Sequence, residues 1–112
     1  MPMALQQVHG SRQVKPDPPI VHPIADAALL SARMRRAARG DADAQFDLGL
    51  MYATGEGVDL DYVTAHQWFN LAAMGGNREA RVMRADLALD MSPAQVAEAQ
   101  RRAREWRGRH IH

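Results

Sequence analysis

The chain has 112 residues, of which 46 % are apolar, 24 % charged and 5 % aromatic, with a net charge of +1. One domain of this size can bury a core, and the composition excludes wholesale disorder. The near-neutral balance gives no general attraction to nucleic acid or anionic membrane. The absence of cysteine excludes disulfides and thiolate metal sites, and no apolar run reaches the ~20 residues of a membrane span.

Residues 1–23 read as a flexible leader carrying Pro2, Pro16, Pro18, Pro19 and Pro23. Proline lacks an amide donor and biases its predecessor away from helix, so Lys15–Pro19 should be extended. The leader shows no basic start, apolar stretch and small-residue cleavage site, which points to a cytoplasmic protein. From Ile24 to Arg39 the pattern turns helical. Ile24, Ala27, Leu30, Met34 and Ala37 recur at three- and four-residue steps. Gly40 ends this helix, because glycine takes positive φ without a Cβ clash.

Asp41 suits the cap of a second helix over 42–53, with Asp43 in its first turn. Ala44, Leu48, Met51 and Tyr52 form its inner face. Gly49 costs roughly 1 kcal/mol against alanine in a helix interior, so it implies the close approach of another helix. Gly55-Glu56-Gly57 breaks the chain and Val58 plugs the resulting hairpin. Asp59 or Asp61 caps a third helix ending near Met74. Its inner stripe is Tyr62, Ala65, Trp68 or Phe69, and Ala72, and Gly75-Gly76 closes it. A fourth helix follows over 78–90, with Ala80, Met83 and Leu87 inward. Ser92-Pro93-Ala94-Gln95 is a capping box that opens a fifth. Val96, Ala99, Ala103 and Trp106 share one face of it, and Glu98, Arg101, Arg102 and Glu105 the other. No segment shows sustained alternation, so no strand is expected.

Charge alternates along the chain. Residues 24–39 carry a balance of +3, residues 40–76 of −6 and residues 77–112 of +3. Such a chain satisfies itself when its segments stack, or associates with another copy in a salt-sensitive way.

A self-similarity of period 36 runs through this pattern. Ala37 and Ala73, Gly40 and Gly76, and Ala44 and Ala80 are each separated by it. Periods of this size indicate stacked helical hairpins, none of which can bury its apolar face alone. Residues 42–80 also carry Ala42, Ala44, Leu48-Gly49, Tyr52, Gly55, Gly57-Val58, Asp61-Tyr62, Ala65, Trp68, Ala72-Ala73, Gly76 and Ala80. In this the chain resembles the SEL-one-like repeat family, relatives of the tetratricopeptide repeat. The Gly-x-Gly-Val hairpin before an Asp-Tyr helix start separates the two patterns.

The resemblance is strict over residues 42–77. It is weaker over 24–40, like the second helix of a preceding unit, and over 78–107, like a degenerate following unit. There Asp90-Met91-Ser92-Pro93 replaces the glycine hairpin and Arg84 stands where a buried leucine belongs. The resemblance implies a short all-α solenoid of antiparallel hairpins, about five helices in residues 24–112, with 78–107 as a capping unit. It also implies an adaptor or scaffold that binds a protein or peptide in the groove between the first helices of successive hairpins, in bacteria often in signalling or cell-envelope processes.

No residue pattern points to catalysis, a cofactor or a metal. His110-Ile-His112 lacks the helical spacing of a zinc pair and reads as a disordered tail. Glu56, Asp59 and Asp61 lack the order of a calcium loop. Ser31, Thr54 and Ser92 stand in no nucleophile motif. The candidate partner-binding residues are Tyr62, His66, Phe69, Arg36 and Arg81, with Phe69 or Tyr62 the exposed aromatics and His66 a surface or groove residue. Two other readings stand beside this one. One is an accessory domain of an enzyme complex. The other is a weak nucleic-acid binder through Arg33, Arg35, Arg36 and Arg39 with Arg101, Arg102, Arg104, Arg107 and Arg109. The intervening acids and scarce aromatics weigh against the latter.

Overall fold

The structure is a computed structural model, and it describes residues 23–110. Five helices follow one another: α1 (Pro23–Ala38), α2 (Ala42–Thr54), α3 (Tyr62–Met74), α4 (Arg78–Ala88) and α5 (Pro93–His110). Among the described residues there is no strand. The proline-rich stretch 15–19 and His112 lie outside them.

The junctions explain the order. Gly40 has φ +94° and its amide donates to the Ala37 carbonyl, while the Asp41 amide donates to that of Arg36. Asp41 at once caps α2, its Oδ1 accepting from the amides of Asp43 and Ala44 at 3.0 and 3.1 Å. Thirty-six residues later the same bonds recur. Gly76 has φ +100° and donates to Ala73, and Asn77 donates to Ala72. The Asn77 side chain then accepts from the amide of Ala80 at 2.9 Å. The period therefore marks a glycine stop fused to a helix cap. Ala44 and Ala80, at equivalent places just beyond, are both fully buried.

Consecutive helices run antiparallel. On α1 and α2, Ala37 meets Gln45 and Arg33 meets Met51. On α2 and α3, Tyr52 accepts from the Asp61 amide at one end, and Ala42 touches Gly75 at the other. On α3 and α4, Asn70 meets Arg84. Asp61 rather than Asp59 caps α3, accepting from the amide and hydroxyl of Thr64. Burial pushes the Asp61 carboxyl up. The two Thr64 hydrogen bonds and the charge of Arg102 outweigh it, and the group ends below its usual value.

α3 is the hub. Ala65, His66, Trp68, Phe69, Leu71 and Ala72 are all buried. Phe69 and Ala72 meet α2 and α4 on one side, while Trp68 and Leu71 join Leu48, Ala103 and Trp106 on the other. Full burial of Phe69 and of Leu48 contributes about 1.5–3 kcal/mol each. Gly49 has the packing reason its sequence position implies. A Cβ there would overlap ring carbons of Phe69.

The last pair departs from a hairpin. α5 packs on α3, and α4 and α5 have no close packing. It runs in the same general direction as α3: Arg102 acts on Asp61 near one end and Arg107 reaches the Met74 sulfur near the other. The cause is visible in the register. Leu48, fully buried between α2 and α3, is matched 36 residues later by Arg84. Arg84 donates to Asn70 Oδ1 at 2.6 Å and stays half-buried. A guanidinium cannot be the apolar centre of a hairpin seam. α5 uses its alanine face and Trp106 on α3 instead, with the Trp68 and Trp106 rings edge-to-face at 5.9 Å.

The capping box is present as the sequence has it: Ser92 N donates to Gln95 Oε1 at 2.9 Å, and Gln95 N to Ser92 Oγ at 3.1 Å. Two expectations are corrected. Met34 is 41 % exposed, because α1 packs mainly on α2, through Leu30 and Ala37. His110 is helical, its ring stacked on Trp106 at 4.2 Å and its Nδ1 2.9 Å from the Trp106 carbonyl.

Candidate functional site

The five candidate binding residues separate in space. Phe69 is fully buried and His66 only 2 % exposed, so neither presents a surface to a partner. Both belong to α3, which is covered on both sides, and a single-helix stripe cannot foretell that. Tyr62 is half-buried at the start of α3. Arg36 is exposed on α1 and paired with Asp41 at 3.2 Å. Arg81 is exposed on α4, on the side turned away from α3.

His66 is a buried polar group whose Nδ1 has no hydrogen-bond partner. Burial, reinforced by the positive charge of Arg84, holds its pKa below the ordinary value and keeps the ring neutral. Among the described residues Gln45 is the other buried polar side chain, and its Nε2 donates to the Ala37 carbonyl at 3.1 Å.

A different set of apolar residues borders the core of the repeat at its surface. Phe46, Leu50 and Ala53 of α2, with Met83 and Leu87 of α4, are partly buried around Ala65, Phe69, Ala72 and Ala80. Phe46 lies against Phe69, ring centroids 5.8 Å apart and tilted by 45°. α2 and α4 are both antiparallel to α3, hence parallel to each other, and Asn77 Nδ2 reaches Asp43 Oδ1 at 3.2 Å where they begin. The two rows make an apolar strip floored by Phe69. Helical spacing sets acids beside it: Asp43 and Asp47 next to Phe46 and Leu50, and Glu79 and Asp86 next to Met83. Phe46 had a signal in the sequence, four residues before Leu50 on an otherwise acidic helix face. By contrast, the cleft between the end of α3 and α5, lined by Leu71, Met74, Trp106 and Arg107 among others, has a volume of about 70 Å³.

Two of the five arginines of α5 are engaged in ion pairs. Arg101 pairs with Glu98 at 2.6 Å and with Glu105, and Arg102 pairs with Glu98 at 2.8 Å. Hydrogen bonds from both arginines hold the Glu98 carboxyl down to about 2. Among the described residues, no three His, Asp or Glu side chains gather as a metal-holding group, and no helix is long and apolar enough to cross a membrane.

The turn of Gly55 (φ +80°) and Gly57 (φ +78°), the Asp61 cap, the Gly49–Phe69 contact and the Gly76 stop stand together in one hairpin. That hairpin, residues 42–77, matches the model of the Sel1 repeat family. Residues 42–77 are a Sel1 repeat. No curated protein matches the chain significantly. Sel1 repeats in general mediate protein–protein interaction and are typically non-catalytic. In this Sel1 repeat Ala44, Leu48, Gly49, Ala65, Trp68 and Ala72 are all buried, as is Ala80 just beyond it. Tyr52 supplies the carbonyl that receives the Asp61 amide.

Proposed function

We propose that the protein is a non-catalytic adaptor that holds a peptide segment of a protein partner along the strip between α2 and α4. The observation that carries this reading is the partly buried row Phe46, Leu50, Met83 and Leu87 at the surface of the core on a Sel1 repeat. Apolar side chains at helical spacing offer anchor points, and the bordering acids favour a segment with arginine or lysine near its apolar residues. Residues 78–107 would then act twice, α4 as one wall and α5 as the cover of α3. A cytoplasmic setting belongs to the same reading.

Photo-crosslinkers placed at Leu50 and at Glu105 test it in lysate of the source cell. The Leu50 probe should capture a defined protein that the Glu105 probe does not. Capture should fall at high salt and in Asp47→Lys. Equal capture from both positions would remove the strip from consideration.

A further inference from the structure

Among the described residues nothing covers the side of α4 turned away from α3. Ala80, Met83 and Leu87 face the core; half a turn round, Val82 is 68 % and Leu89 82 % exposed. Both line a shallow open groove with Arg81, Ala85 and Asp86. Val82, Ala85 and Leu89 recur at three- and four-residue steps, the spacing of a two-helix seam, and Arg81 and Asp86 flank it on opposite sides. Among the described residues neither takes part in an ion pair.

We propose that a second copy of this chain covers this face, α4 against α4 in parallel about a two-fold axis. Charge selects both the occupant and the orientation. In a parallel pair, a flanking residue faces the opposite flank of its neighbour five positions on. Arg81 then meets Asp86 of the partner subunit, and the symmetry makes the ion pair twice. Antiparallel, Asp86 would lie beside Asp86 of the partner subunit. The seam is short, since Arg78 stands one turn before Val82 and ends the apolar layers. Its area falls well below the ~1,600 Å² of a standard interface, so the dimer is weak and belongs to concentrations of ~0.1–1 mM. The strip between α2 and α4 lies on another side of α4 and shares only Asp86 with this face, so Leu89→Glu removes the dimer while leaving peptide capture, and Asp47→Lys weakens capture while leaving the dimer.

Sedimentation equilibrium on the full chain from ~10 µM to ~1 mM at low salt reads the dimer. Arg81→Glu and Asp86→Arg should each weaken it roughly tenfold, and the double exchange should restore it. Leu89→Glu should abolish it. The chain has no cysteine, so Val82→Cys reports orientation: it oxidises to a covalent dimer only if the helices are parallel. Circular dichroism checks that each variant is folded. A monomer at ~1 mM, a dimer indifferent to Leu89→Glu, or a double exchange that fails to restore would each overturn the proposal.

Discussion

Phe69 occupies the space that any side chain on Gly49 would need. Two ring carbons of Phe69 stand where a Cβ would be built, and Phe69 itself is fully buried between α2 and α4. The ring has nowhere to retreat. Gly49→Ala should therefore destabilise the domain by about 1–3 kcal/mol through overpacking, against the roughly 1 kcal/mol that alanine gains as a helix former. Urea unfolding measures the difference. Adding Phe69→Leu should recover part of the loss, a coupling that a local effect at position 49 would not show.

Trp106 makes α5 part of the core. It is 6 % exposed and meets Trp68 edge-to-face. Trp106→Ala should cost about 3–5 kcal/mol, a large share of the ~5–15 kcal/mol that a domain of this kind possesses. A near-UV circular dichroism signal that survived the substitution with an unchanged melting temperature would show α5 to be a passenger.

Asn77 joins two jobs, capping α4 and bonding Asp43 of α2. Asn77→Ala should cost about 1 kcal/mol, and Asn77→Gly less, because glycine is tolerated at a helix start. Thermal melts of the two variants give the order.

His66 gives the fold a pH dependence whose sign follows from its environment. The folded-state pKa lies below the ordinary 6.5, through burial first and Arg84 second. The unfolded chain therefore binds a proton more readily than the folded one. Stability is fully present above pH 6.5 and is lost as pH falls from there through the folded-state pKa. His66→Leu removes both the titration and the unpartnered Nδ1. Urea midpoints at pH 7.5 and 5.5 should differ less in the variant than in the parent.

Glu98 acts in a lower window. Its carboxyl is held at about 2 against an ordinary 4.5, so its contribution is complete above pH 4.5 and disappears toward pH 2. Glu98→Gln should flatten the acid limb of the stability profile without altering the His66 window.

The helices and their ends are legible in the sequence because each signal is local. Gly40, Gly76, Asp41, Asp61 and the Ser92–Gln95 box act through bonds spanning a few residues, and all lie where the pattern places them. Gly49 is legible for a different reason: an unfavourable residue in a helix needs a neighbour to justify it. The path of α5 is not legible. Its alanine face fits any helix offered, and only Arg84 in the place of a leucine hints that α4 refuses it. The exposure of His66 and Phe69 fails for the same cause, since burial on α3 depends on how many helices surround it. Phe46 is partly buried against Phe69, and acids on either side of it in the sequence mask that position.

The residue that stops one helix also adjoins the one that starts the next, at Gly40-Asp41 and again at Gly76-Asn77. Such a joint has no slack. Adding or deleting a single amino acid there would turn everything downstream by about 100°, swinging Ala80 and Met83 off their seats. Loop-length drift, which most surface connections absorb without consequence, is closed to these two positions. Viable variants of this architecture should gain or lose chain in whole units.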